Sequence, residues 1–104
     1  MTPVELKERL DRQQPVTLID VREPHEYQIA DLAEYDPVRM PMAEVLSRMD
    51  EVDPDDACVV YCRSGGRSAW VVGQLRARGF ENVYNLAGGI LRWREDVDPS
   101  LTAY

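Results

Sequence analysis

Cysteine and histidine are scarce in this chain. Cys58, Cys62 and His25 are the full complement in 104 residues. That is too few for a structural zinc centre, which takes about four such ligands, so no metal is expected. The two cysteines do not form a Cys-x-x-Cys pair, and four residues along a strand span about 13 Å, well beyond the reach of a disulfide. Both thiols are therefore expected to be reduced, as in a cytosol. Long apolar runs are also missing, and a membrane-crossing helix needs about 20 apolar residues. Glu5, Lys7, Glu8 and Arg9 near the start argue against a secretory leader, so a cytoplasmic location is expected. A basic excess is absent too: 12 Lys and Arg against 19 Asp and Glu leave a net charge of -7. That composition disfavours nonspecific nucleic-acid binding, which depends on neutralising phosphates, and gives small anions no long-range steering. The length suits one domain, residues 1–104, without a second, and there is no repeat, linker or low-complexity segment.

What is present alternates between strand and helix signals. Thr2-Pro3-Val4-Glu5 reads as a capping box with proline at the first helical position. Val4, Leu6 and Leu10 give the helix that follows a partial apolar face up to about Arg12. Val16 to Asp20 and Ala57 to Tyr61 read as strands buried on both faces. Pro24 to Leu32 reads as a helix opened by proline, Val38 to Met40 as a short edge strand, and Met42 to Met49 as a helix with Val45, Leu46 and Met49 on one side. Ser68 to Arg78 is helical and stopped by Gly79. Val83 to Leu86 is a further strand, and Ile90 to Glu95 a short helix. Such alternation implies an α/β domain with a mostly parallel sheet covered on both faces, whose functional site lies beyond the C-terminal strand ends.

Cys62-Arg63-Ser64-Gly65-Gly66-Arg67-Ser68 stands at such an end, between a strand and a helix. In a loop of this kind the backbone N–H groups turn inward as an anion-binding nest, reinforced by the helix dipole. The same field stabilises a thiolate. Gly65 and Gly66 supply backbone angles that other residues resist. Cys62 is thus the candidate nucleophile, with Arg63, Ser64, Gly65, Gly66, Arg67 and Ser68 as its loop. Cys58, inside the strand on the same side as Val60, is expected to be structural. His25 is expected to be exposed and idle, and Trp70 and Trp93 to serve packing.

This loop resembles the active-site loop of the rhodanese-like sulfurtransferases. Two further segments match in the expected order: Asp20-Val21-Arg22 through Glu26-Tyr27, similar to the family's DVRxxxEY/F, and Gly79 to Ile90, similar to its GFxNVxxLxGG, followed by Trp93. The resemblance implies a three-layer fold with a mostly parallel sheet of four to five strands. It places the strand at Val16–Asp20 beside that at Ala57–Tyr61, so that Asp20, Arg22 and Glu26 brace the loop. It also implies sulfur transfer through a persulfide on Cys62, with no cofactor. The donor would be thiosulfate or a cysteine-desulfurase persulfide. Arg63 and Ser64 are expected at the mouth, against an anionic donor, while Arg67 pairs with a buried carboxylate or holds a substrate anion. Two family features are lacking: a strand before the first helix, and the GHIxGA segment, where Ile29 to Asp36 stands instead.

The end of the chain, Gly88 to Trp93 with Asp98 to Tyr104, looks like the end of the rhodanese domain of adenylyltransferase-linked proteins, which load sulfur on small carriers ending in Gly-Gly. A sulfur-carrier protein is therefore a candidate acceptor. Two other classes compete. The fold also resembles dual-specificity phosphatases of the cell cycle, but those use Cys-x5-Arg, and Cys62 to Arg67 is one residue short. A non-catalytic interaction module would ordinarily lack the cysteine.

Overall fold

A computed structural model describes residues 1–104. The chain runs α1 (Pro3–Asp11), β1 (Thr17–Asp20), α2 (Pro24–Tyr27), β2 (Val38–Arg39), α3 (Val45–Arg48), β3 (Cys58–Tyr61), α4 (Gly66–Ala77), β4 (Val83–Asn85) and α5 (Gly89–Asp96), with single 3-10 turns at Ala33–Tyr35, Met42–Glu44 and Met49–Glu51. The strands form one sheet in the order β2-β1-β3-β4. Every pairing is parallel, and Asp20 at the end of β1 lies level with Tyr61, the residue before Cys62. The resemblance allowed four or five strands; there are four.

Period-two alternation along the strands sorts the core into two layers. Ile19, Val21, Cys58, Val60 and Cys62 face α4, where Val71, Val72 and Leu75 meet them, together with Val45 of α3. Leu18, Val59 and Tyr61 face the opposite way, onto Leu6 of α1 and Ile90 and Trp93 of α5. The central strand β3 is buried throughout, as its unbroken apolar run requires.

Local chemistry sets the ends of these elements. Thr2 and Glu5 form the reciprocal capping box at the start of α1. Helix α4 ends in a Schellman turn: Gly79 has φ +97°, its N–H donates to the Arg76 carbonyl, and the Phe80 N–H donates to that of Leu75. Leu75 and Phe80 then pack in the same core layer.

Some sequence expectations fail here. Helix α2 stops at Tyr27 instead of Leu32. Buried Arg22 draws in the carbonyls of Glu26 (3.4 Å) and Ala30 (2.8 Å), and this folds the segment back. Val4 and Leu46 face outward, 49% and 40% exposed. Pro3 and Leu6 carry the buried side of α1, and Met42 and Met49 join Val45 at the core. The segment expected as one helix from Met42 to Met49 is a 3-10 turn, one α-turn and a second 3-10 turn.

The start of α5 sits against the loop after β3. The Ile90 and Leu91 N–H groups, free because they open a helix, donate to the carbonyls of Cys62 (3.0 Å) and Arg63 (3.1 Å). This approach requires glycine at position 89, where φ is +61° and a Cβ would lie 2.6 Å from the Cys62 carbonyl oxygen. Gly73, exposed inside α4, has open space at its Cβ position. Gly89→Ala should therefore cost about 2 kcal/mol or more, whereas Gly73→Ala should gain up to about 1 kcal/mol, as read by denaturant unfolding.

Candidate active site

Cys62 follows β3 directly, and its side chain is enclosed, with 1% of the residue exposed. The Gly65 N–H donates to Sγ at 3.1 Å, and Ser68 Oγ lies 3.3 Å from it. Gly65 reaches this position with φ +107° at the N-cap of α4. Burial by itself would raise the thiol pKa. The Ser68 hydroxyl and the N–H groups of Ser68, Gly65 and Ser64 outweigh it and bring the group below its ordinary value. Hydrogen bonds to the charged form are the dominant cause of this acidity. Cys58 shows the contrast: burial, with the charges of Asp56 and Asp53 added, pushes its thiol up to about 11. Both cysteines are free.

The polar residues at the end of β1 form a network that reaches the loop. Arg22 is fully buried; its Nε and Nη2 hold the two oxygens of Asp20, each at 3.0 Å. Asp20 also accepts from Tyr61 Oη at 3.1 Å and from Arg39, which is itself forked onto Asp31. Glu26 takes both terminal nitrogens of Arg67, at 2.7 and 2.8 Å. Those bonds outweigh the opposing effect of burial and hold the Glu26 carboxyl at about 2. Between the two ion pairs sits Tyr104, whose hydroxyl accepts from Arg22 at 3.0 Å and donates to Glu26 at 2.9 Å.

Asp20, Arg22, Glu26 and Arg67 thus form one connected group beside Cys62. Arg67 pairs with the carboxylate rather than standing free for an anion. Arg63, expected at the mouth, is exposed and engaged by Tyr104. Its guanidinium lies over the Tyr104 ring, 5.2 Å from the centroid, and both Nε and Nη2 donate to the Tyr104 carbonyl. Ser64 is exposed, and its backbone N–H contributes to the lowering of the Cys62 thiol pKa. Gly66, expected to supply an unusual backbone angle, instead opens α4 without a positive φ and with empty space beside it, because the helix sets its conformation. His25 is exposed, Trp93 packs edge-on against Tyr35 in the core, and Trp70 is 49% exposed.

Sequence reasoning gave no role to Asn85 or Tyr104. Asn85 Nδ2 donates to the Gly65 carbonyl at 3.2 Å, and its Oδ1 lies 2.6 Å from Ser68 Oγ. Both residues act across long sequence separations, and neither carries a local pattern that marks it. The roomiest surface hollow, about 630 Å³ between Met49–Pro54 and Phe80, lies away from the loop. No group of acidic, cysteine or histidine side chains is arranged to hold a metal ion, and no helix is long and apolar enough to cross a membrane.

The rhodanese-like domain model matches residues 2–96. The chain belongs to the rhodanese-like family. A sulfurtransferase from Allochromatium vinosum is 40% identical over 88 residues, covering 85% of this chain and 80% of that protein. The probable adenylyltransferase/sulfurtransferase MoeZ of Mycobacterium tuberculosis is 30% identical over 104 residues, which is all of this chain and 26% of MoeZ. Rhodanese-like/PpiC domain-containing protein 12, chloroplastic, of Arabidopsis thaliana is 39% identical over 89 residues and is covered to 30% of its length. This rhodanese-like chain therefore spans under a third of those two longer relatives. Among solved structures, a rhodanese-like domain protein from Staphylococcus aureus superposes with a TM-score of 0.83 at 28% identity, covering 100% of this chain and 96% of that one. The likenesses read from the sequence, to the family and to the rhodanese domains of adenylyltransferase/sulfurtransferases, both hold.

The Glu26–Arg67 pair gives a pH signature. A carboxyl depressed from 4.5 to about 2 stabilises the fold fully above its unfolded value and loses that contribution as pH falls through the folded one. Glu26→Gln should cost about 1–3 kcal/mol at neutral pH. In denaturant titrations the gap to wild type should close as the pH drops from 4.5 toward about 2.

Proposed function

We propose that this domain is a sulfurtransferase that carries sulfane sulfur on Cys62. The observation that carries the reading is the Gly65 N–H and the Ser68 hydroxyl against the Cys62 sulfur, at the end of β3 and the start of α4. A thiolate held there attacks the outer sulfur of a donor. With thiosulfate, the new bond joins the Cys62 sulfur to the sulfane sulfur, the old sulfur–sulfur bond breaks, and sulfite leaves with the electron pair. With a protein persulfide, the donor cysteine leaves as its thiolate. In the second half an acceptor nucleophile attacks the terminal sulfur, and Cys62 departs as a thiolate into the same hydrogen bonds. No general base is needed once the thiolate exists, which suits a site whose chain has only His25, and that residue exposed. The persulfide is a covalent intermediate, so the chemistry calls for no cofactor.

Two features weigh against phosphoryl transfer. Four residues separate Cys62 from Arg67, and the Arg67 fork is taken up by Glu26. An interaction module has no use for an acidified cysteine.

We further infer that a protein, rather than free thiosulfate, is the better donor. The chain is acidic, at -7, and the Arg63 guanidinium is bound to Tyr104. A small dianion gains neither steering nor a free arginine, whereas a protein supplies contact area and its own charge complementarity. A cysteine-desulfurase persulfide as donor and a Gly-Gly sulfur carrier as acceptor fit the similarity to MoeZ. A reducing compartment such as the cytoplasm suits a nucleophile that must remain a free thiol.

Mass spectrometry after incubation with a persulfide donor should find one added sulfur on the Cys62 peptide. Cys62→Ser should lose both the adduct and transfer to cyanide, while Cys58→Ala keeps both and costs about 1–2 kcal/mol of stability. Full transfer by Cys62→Ser would overturn the reading. In addition, kcat/KM with a persulfidated desulfurase should exceed that with thiosulfate by about tenfold or more, roughly 1.4 kcal/mol of transition-state stabilisation. Equal efficiency would assign the donor role to the small molecule.

A further inference from the structure

The hydrogen bonds around Asn85 fix where the protons lie. Asn85 Nδ2 faces the Gly65 carbonyl at 3.2 Å. The opposite amide orientation would set two oxygens against each other there. Oδ1 therefore faces Ser68 Oγ, at 2.6 Å, and Oδ1 only accepts. The Ser68 hydroxyl has one hydrogen, and this geometry commits it to Asn85. Toward Cys62 Sγ, 3.3 Å away, Ser68 presents a lone pair. The resting arrangement is then a chain in one direction, with the Cys62 S–H donating to Ser68 and the Ser68 O–H donating to Asn85.

We propose that Asn85 is a positioning residue for Cys62: by accepting the Ser68 proton it keeps the thiol hydrogen on sulfur at rest, and it yields the hydroxyl to the sulfur only when negative charge develops there. A thiolate facing the lone pair is repelled, and it is stabilised once the hydroxyl turns from Asn85 to Sγ. The backbone N–H groups serve the sulfur in either state, whereas the Ser68 bond switches. Asn85 therefore competes with the sulfur for one proton, and its removal makes Cys62 more acidic. Deleting an amide that packs against the loop would ordinarily be expected to impair the nucleophile; here the sign is opposite. The inference rests on Cys62 as the nucleophile, and it concerns the unreacted thiol.

The charged groups around this cluster lie outside the proton chain. Arg63 and Arg67 flank the sulfur from the loop, Glu26 on α2 neutralises Arg67, Asp20 and Arg22 are paired at the end of β1, and Arg92 on α5 is paired to Asp96. The Met1 ammonium donates to the Asn85 backbone carbonyl at 3.0 Å, so it stays in place when the side chain changes.

The test is a cycle of substitutions in a Cys58→Ala background, with Cys62 titrated by pH-dependent alkylation. Asn85→Ala and the bulkier Asn85→Leu should lower the apparent midpoint by about half a unit. That is about threefold more thiolate at a fixed pH well below it. In a Ser68→Ala background the same Asn85 substitutions should leave the midpoint unmoved. A midpoint that stays or rises on Asn85→Ala would overturn the proposal. So would an equal fall with and without Ser68, which would trace the effect to displacement of the Gly65 loop. Should the Asn85 variants fail to fold, the S–H stretching band reads the same arrangement in the unaltered cluster. It should lie at the lowered frequency of a hydrogen-bonded donor and rise on Ser68→Ala; a band indifferent to Ser68 would refute the S–H to Ser68 link. Neither readout requires sulfur transfer, so absent transferase activity and a wrong proton arrangement give separate results.

Discussion

Arg22 carries a full positive charge with none of its side chain exposed, and the architecture around the site follows from satisfying it. Placing an ion in the interior costs several kcal/mol unless its charge is matched and its donors are bonded. Asp20 supplies the charge and takes two of the bonds. The carbonyls of Glu26 and Ala30 and the hydroxyl of Tyr104 take the rest. The end of β1, the short helix α2, the turn after it and the C-terminal segment must therefore meet around one guanidinium. Glu26, fixed by this gathering, in turn holds Arg67. The Cys62 loop is thus anchored to the sheet through a sequence of charge pairs rather than through apolar contact alone. Loss of one member leaves its partner buried and unmatched, so the network stands or falls as a unit.

Two thiols four residues apart acquire opposite characters from this frame. Cys58 and Cys62 share a core layer and are both fully enclosed. Burial pushes each thiol toward its neutral form. At Cys58 nearby carboxylates add to that effect, and at Cys62 the Ser68 hydroxyl and the loop N–H groups reverse it. The difference comes from one hydroxyl and a few backbone dipoles, and the loop that carries them is shaped by Gly65 at a positive φ and by the close approach of Gly89.

Much of this was legible in the sequence because the relevant physics is local. Uninterrupted apolar runs marked β1 and β3, the Thr2-Pro3-Val4-Glu5 pattern marked the start of α1, and Gly65 marked a loop with an unusual backbone angle, whereas Gly66 beside it needs none. The parallel sheet followed from the alternation of elements. Where contacts over long separations decide, the reading failed. Nothing near residues 28–32 announces that Arg22 ends α2 early. Nothing in the run from Val45 to Met49 tells which of two apolar neighbours faces out. The site showed the same division. The place of Cys62 at a strand end before a turned loop was legible, as was the grouping of Asp20, Arg22 and Glu26 beside it. The attachment of Arg63 to Tyr104, 41 positions away, and the placement of Asn85 between Ser68 and Gly65 were not, since both depend on how distant segments meet.

The two ends of the described chain lie beside the same loop. The Met1 amino group and carbonyl are bonded to Asn85 and Ala87, next to the glycines that open α5, and Tyr104 lies against Arg63. A polypeptide continuing from either end would leave the domain beside the Cys62 loop. Linker length and stiffness would then govern the local concentration, at that loop, of whatever the linker carries. That concentration would change with the tether alone, leaving the Cys62 loop untouched.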